Sequence, residues 1–119
     1  MPRGAREAVV LARPVEEQHA AVLADQAQRV RAERAVLARA LAQTRGVRVW
    51  PSRANFILFR VTRGDAGAVF RRLQAAGVLI KNLDHAGGAL AGCLRVTVGT
   101  PQENQAFLRA LAPALAGAG

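Results

Sequence analysis

Apolar positions fall at helical spacing through the first third of the chain and at strand spacing after it. Leu23, Val30 and Leu37 recur every seventh residue, with Leu41 one turn further on, while Arg29, Arg31, Glu33 and Arg39 fall largely off that stripe. This is the pattern of an amphipathic helix. It predicts a helix over about residues 15–43. Pro14 suits the first turn, and Glu16 and Glu17 lie near the positive end of the helix dipole. Gly46 is the expected terminator. Such a helix is far longer than the average of about 11–12 residues, and it normally spans a larger body than one small domain. The residues before it, Met1 to Arg13, are rich in Ala and Arg and suggest no element with a partner.

Beyond Gly46 the period shortens. Val47, Val49 and Trp50 predict a short strand stopped by Pro51, and residues 55–61 (Asn-Phe-Ile-Leu-Phe-Arg-Val) a mostly buried one. Asp65 is a candidate N-cap for a helix whose apolar face is Val69, Phe70, Leu73 and Ala76, with Gly77 at the left-handed position past its end. Val78, Leu79 and Ile80 predict a third strand, and residues 93–98 a fourth. Between them, residues 84–92 are Gly-rich and read as a mobile loop. Thr100-Pro101-Gln102-Glu103 is a strong helix start: Thr caps, Pro occupies the first position, and Glu can close a capping box. The last helix uses Phe107, Leu108 and Leu111 and is expected to fray near Pro113, leaving residues 114–119 as small-residue filler.

The order is therefore a long N-terminal helix followed by β-β-α-β-β-α. It predicts an α+β fold with helices on one face of a small, mainly antiparallel sheet. The organisation reads as an N-terminal segment 1–17, a long helix 18–46 of the kind that joins domains, and a small domain 47–119.

Composition narrows the function classes. The chain has 119 residues, 51% apolar and 21% charged, enough for one packed core. One cysteine, Cys93, excludes an intrachain disulfide framework and a cysteine-cluster zinc site. No apolar run approaches the roughly 18–20 residues of a membrane span, and no secretory h-region is evident, so a cytoplasmic setting is expected. Seventeen basic residues against eight acidic ones leave +9. That charge is the footprint of a nucleic-acid binder, but the arginines are spread along the chain and the aromatics are one Trp and four Phe. Arginine-rich coding bias is therefore placed ahead of nucleic-acid binding. A free-standing basic module for nucleic acid or an acidic partner stands as the alternative reading.

Three stretches carry a resemblance: Ser52-Arg53-Ala54-Asn55-Phe56-Ile57-Leu58-Phe59-Arg60, then Gly77-Val78-Leu79-Ile80-Lys81-Asn82-Leu83, then Cys93-Leu94-Arg95-Val96-Thr97-Val98-Gly99-Thr100-Pro101-Gln102-Glu103-Asn104. In this order and spacing they resemble the C-terminal small domain of histidinol-phosphate aminotransferases, members of the fold-type I family that uses pyridoxal phosphate. The resemblance implies a transaminase exchanging an amino group between histidinol phosphate and 2-oxoglutarate, with an aminotransferase small-domain fold. It also implies what is missing. The family's Schiff-base lysine lies in a Ser-Lys segment followed by Gly-Leu-x-Gly-x-Arg, and no such run occurs here. Lys81, the only lysine, matches a different place. Pyridoxal phosphate would then belong to the full-length family and would not attach to this chain. The expected partners are a large domain or homodimer mate and an anionic small substrate, and the chain alone is expected to be inactive. A truncated gene, a late start codon or an upstream frameshift would each account for the mismatch.

Two side chains are the expected substrate contacts. Arg95 stands where the family's arginine clamps a carboxylate or phosphate, and a planar guanidinium offers the matching fork of donors. Set on a strand, with Leu94 and Val96 facing the other way, it has a rigid mount. The competing reading is a sheet-edge arginine paired with Glu103 or Asp84. Lys81, where relatives carry Lys or Arg near a substrate phosphate, would act as a point charge; a solvated strand-end lysine is the equal alternative. Asn55 is read as structural, His19 and His85 as exposed, and Cys93 as a buried strand residue. No catalytic residue, metal ligand or cofactor ligand is expected.

Overall fold

The computed structural model describes residues 15–118. The expected segment 1–17 lies almost wholly outside them, as do the surroundings of His19. Helix α1 spans Val15–Ala42, strand β1 Val47–Val49, strand β2 Phe56–Val61, helix α2 Ala66–Ala75, strand β3 Ile80–Asn82, strand β4 Cys93–Thr97 and helix α3 Pro101–Ala118. Two single 3-10 turns, Asp84–Ala86 and Gly88–Leu90, sit between β3 and β4. The four strands form one antiparallel sheet in the order β1-β2-β4-β3. The predicted α+β class and element order are those observed.

Alternation on the two central strands divides the sheet into two faces. Ile57, Phe59 and Val61 of β2 and Leu94 and Val96 of β4 are buried. With Val98 they join Leu37 and Leu41 of α1, Ala66, Val69 and Leu73 of α2, and Phe107, Leu111 and Ala114 of α3 in one core. All three helices therefore cover the same face. The rings of Phe59 and Phe107 meet across the sheet–helix layer, centroids 5.9 Å apart. The other residues of β2, Phe56, Leu58 and Arg60, are partly buried and none of the strand is exposed, so it is mostly buried as expected, with its second face the more accessible one. Among the described residues no helix packs on that second face.

Local capping is as the sequence implied at three points. Asp65 Oδ1 accepts from Gly67 N at 3.0 Å and starts α2. Gly77, at φ +86°, ends it, with Gly77 N donating to Gln74 O and Val78 N to Leu73 O. This paired closure is the Schellman arrangement. Thr100 and Glu103 form a reciprocal box at α3: Glu103 N donates to Thr100 Oγ1 at 3.1 Å, and Thr100 N to Glu103 Oε1 at 2.8 Å.

Five expectations need correction. The apolar stripe of α1 is used only from Val30 onward, because the sheet and α3 reach no further; Val22 and Leu23 are half exposed. Gly46, at φ +87°, leads into β1, and α1 has already ended in a turn through Thr44. Strand β3 starts at Ile80 and runs to Asn82, two residues later than expected, and Leu79 is 72% exposed. Ala76, assigned to the apolar face of α2, is its exposed C-cap. Finally, α3 continues through Pro113 to Ala118. Ala114, expected as filler, is buried, and its carbonyl accepts from Arg72 Nη1 at 3.1 Å. Tertiary packing on both sides of Pro113 outweighs the hydrogen bond the proline cannot make.

Buried Asn104 ties α3 to its neighbours. Its Nδ2 donates to Gly99 O at 3.1 Å and to Glu33 Oε1 of α1 at 3.2 Å, and its Oδ1 accepts from Gly99 N at 2.9 Å. A second tie, Arg34 Nη1 to Ala54 O at 3.1 Å, joins α1 to the β1–β2 connection.

Candidate functional site

The open face of the sheet holds both expected substrate contacts. Cys93, Arg95 and Thr97 alternate with the core residues of β4, and Lys81 alternates with Ile80 and Asn82 on β3. The ladders pair Arg95 with Lys81 on one side and with Leu58 on the other. Leu83 N donates to Cys93 O and Thr97 N to Leu79 O. By alternation the Lys81–Arg95 pair is a hydrogen-bonded one, its Cα atoms about 5.5 Å apart. Val98 N donates to Asn55 O and Val61 N to Gly92 O. Leu58 and Arg95 are therefore a non-hydrogen-bonded pair, with closer side chains.

Arg95 is half-buried and lies with its guanidinium 4.8 Å from the centre of the Phe56 ring. That distance lies within cation–π range. Lys81 is exposed. Neither of the two carboxylates expected as competitors pairs with Arg95. Asp84 Oδ1 accepts from Gly92 N at 2.6 Å, and Glu103 is engaged with Thr100. The hydrogen bonds from the Thr100 backbone and side chain hold the Glu103 carboxyl below its ordinary value. Among the described residues the ion pair present is the exposed Asp25–Arg29 pair of α1, 2.9 Å.

A second pair of cations shares the face. Arg48 of β1 stands opposite Arg60 of β2, and both guanidinium groups lie over Trp50, at 5.2 and 5.0 Å from its centroid. Arg60 also donates from Nε to Ala91 O at 3.0 Å and from Nη2 to Ala89 O at 2.6 Å. The open face thus carries Arg48, Arg60, Lys81 and Arg95 around Trp50, Phe56 and Leu58, with no acidic residue at its strand positions. Sequence reasoning missed Arg48, Trp50, Phe56 and Arg60. The signal that could have found Arg60 is its two-residue spacing from Leu58 and Phe56, opposite in phase to Ile57 and Phe59.

One recess of about 150 Å³ lies between the start of β3, the end of β4 and α3, lined by residues that include Leu79, Thr97 and Phe107. A broader hollow between α1 and the start of α3 is lined by residues that include Gln26, Val30 and Pro101. Lys81 and Arg95 line neither. Cys93 is buried and His85 exposed, as expected. Asn55 is exposed and serves through its backbone carbonyl.

The long helix and the four-stranded antiparallel sheet covered by helices on one side form a fold also found in solved structures. By backbone shape the chain is similar to L-threonine-O-3-phosphate decarboxylase from Porphyromonas gingivalis, with TM-score 0.67 and 28% identity over 75% of this chain and 28% of that one. It shares its fold with histidinol-phosphate aminotransferase from Clostridium acetobutylicum, TM-score 0.66 and 22% identity over 74% of this chain and 27% of that one. No family model matches the sequence. Individual relatives do. The chain is 55% identical over 89 residues to histidinol-phosphate aminotransferase 2 of Nitrosococcus oceani and 52% identical over 98 residues to that of Cupriavidus pinatubonensis. These matches cover 75% and 82% of this chain. The chain corresponds to a segment of the histidinol-phosphate aminotransferase family, spanning about a quarter of the length of the curated relatives it matches.

Proposed function

We propose that this chain is the substrate-anion-binding part of a pyridoxal-phosphate-dependent transaminase of the histidinol-phosphate type, acting in the cytoplasm. In this reading Arg95 is the clamp for a carboxylate or phosphate and Lys81 the second charge beside it. The observation that carries it is their cross-strand placement on the open face with no carboxylate between them. Two facing cations favour a ligand that is itself doubly charged or forked. Arg95 supplies direction through its plane, and Lys81 supplies charge on a flexible stem. The exposure of Lys81 and the partial exposure of Arg95 fit a site completed by another body, through the family's large domain or a second subunit. Residues 18–46 would serve as the helix reaching towards that body, and 47–119 as the small domain.

The chain's own residues do not fit the cofactor. A Schiff-base amine is activated by a desolvated setting or by a neighbouring cation that lowers its pKa. Lys81 has a cation opposite it but is exposed, and it lines neither of the two recesses among the described residues. When bound in such enzymes, pyridoxal phosphate supplies an electron sink for the substrate carbon; no step through it is assigned to residues of this chain. Their part is to hold and orient the anion, and the chain alone is proposed to be inactive.

The test is a titration with inorganic phosphate and, separately, glutamate, followed by backbone amide shifts. Saturable shifts on β3 and β4 that vanish in Arg95→Ala and persist in Arg109→Ala support the reading. Equal losses from both variants, or no saturable shift, overturn it. The four cations and two rings of the open face favour a second reading, a module for single-stranded nucleic acid, because stacking rings and a basic track are what such strands need. A steep fall in oligonucleotide affinity with salt, removed by Arg48→Ala, would support it.

A further inference from the structure

The segment 83–92 joins the two strands that carry the facing cations, and it is closed by polar contacts from both ends. Asn82 Oδ1 accepts from Asp84 N at 2.8 Å, and Asp84 Oδ1 accepts from Gly92 N at 2.6 Å. From β2, the Arg60 fork grips Ala89 O and Ala91 O while its plane rests on Trp50. Gly92, at φ +76°, lies so close to β2 that an added Cβ would meet Val61 O at 3.2 Å and Arg60 Cγ at 3.3 Å. The Gly-rich run expected as a mobile loop is therefore a clasp.

The clasp has work to do. Like charges directly opposite on a ladder repel. Strand β3 is three residues long and, among the described residues, lies at the sheet edge and pairs with β4 alone. At its far end the Thr97 N to Leu79 O bond is stretched to 3.4 Å. Repulsion between Lys81 and Arg95 acts on a strand with little of its own to resist it. We infer that Arg60 and Asp84 are positioning residues that lock segment 83–92 and so hold Lys81 face to face with Arg95. This inference deepens the anion-binding reading and rests on it for its purpose, but the mechanical coupling can be measured without any ligand. An arginine suits the role because one planar fork reaches two carbonyl acceptors, Ala89 O and Ala91 O, in a fixed geometry that a compact ammonium lacks.

The experiment is residue-resolved hydrogen exchange on the whole chain and on Arg60→Ala, Arg60→Lys, Asp84→Ala, Lys81→Gln and the pairs that add Lys81→Gln to each of the first three. The expected result is at least about tenfold faster exchange at the amides of Lys81, Leu83 and Arg95 in Arg60→Ala and Asp84→Ala. Arg60→Lys should recover less than half of that loss on a logarithmic scale. Adding Lys81→Gln should bring the rates back to within about threefold of the parent chain, because the repulsion being resisted is gone. No acceleration in either single variant overturns the inference. So does an acceleration of equal size with and without Lys81, which is what a purely structural loop contact would give. Inorganic phosphate, added last, separates the two readings. If it protects these amides in neither the parent nor the variants while the Lys81-dependent coupling is present, the anion reading fails and the clasp stands.

Discussion

Lys81 and Arg95 stand opposite each other on the β3–β4 ladder, and Arg95 rests on the ring of Phe56 at 4.8 Å while Lys81 reaches into solvent. The arrangement sets stability against binding. Removing the Lys81 charge relieves a repulsive cross-strand pair, a change worth about 0.2–1 kcal/mol. Lys81→Gln is therefore expected to raise the urea midpoint while weakening phosphate binding severalfold. A midpoint that falls, or an affinity that holds, would contradict the placement of both side chains on one working surface.

Asn104 makes a different bargain. Its side chain satisfies both backbone groups of Gly99 and reaches Glu33 on α1, 71 positions earlier in the chain. Asn104→Ala is expected to cost about 1–3 kcal/mol, because Gly99 loses its donor and its acceptor together. Asn104→Asp keeps the acceptor for Gly99 N but points a carboxylate at Gly99 O and at Glu33. It should be more damaging at pH 7 and recover as pH falls through the carboxylate range. Glu33→Gln in that background should return part of the loss, and urea unfolding at pH 7 and pH 4 reads both effects.

The box at the start of α3 predicts a second pH dependence. Glu103 is held below its ordinary value by hydrogen bonds from Thr100. A depressed carboxyl stabilises the fold fully above its unfolded pKa, near the usual glutamate value of about 4.3, and that stabilisation is lost as pH falls through the lower folded value. The stability gap between the parent chain and Glu103→Ala should therefore be constant from pH 7 to about pH 5 and narrow below about pH 4. Thr100→Ala should cost roughly 1 kcal/mol at neutral pH, as N-cap removal does. A gap that widens in acid would reverse the assignment.

These sites also show what the sequence could and could not carry. Asp65, Gly77 and the Thr100–Glu103 box act within three or four residues, so their identities announce their roles. The two faces of β2 and β4 follow from alternation, which placed Arg95 opposite in phase to Leu94 and Val96. The pairing of Arg95 with Lys81 depends on register, and register was invisible because the start of β3 shifted by two residues. Val78, Leu79 and Ile80 are equally good strand formers; the Schellman closure at the end of α2 takes Val78, leaving Leu79 to turn outward. The clasp was hidden for a stronger reason. Arg60 reaches Ala89 and Ala91 across 29 and 31 positions, and it binds carbonyls, which every residue has.

Pro113 is the clearest conflict between local preference and packing. It lies inside α3, exposed, one residue before buried Ala114 and two after buried Leu111. A proline there removes the bond to the carbonyl four residues back, that of Arg109, and crowds it, at a cost of about 3 kcal/mol in an ideal helix interior. The helix persists because Leu111 and Ala114 are in the core and Ala114 O is held by Arg72. Pro113→Ala regains the hydrogen bond and loses the clash, but it also frees the unfolded chain, which offsets about 0.4–1 kcal/mol. The net expectation is a gain of about 2–2.6 kcal/mol, read as a higher urea midpoint at unchanged slope, with slower amide exchange in the last turns of α3. An unchanged midpoint would mean that the Arg109 carbonyl is already turned out to water and that the proline costs the folded helix little.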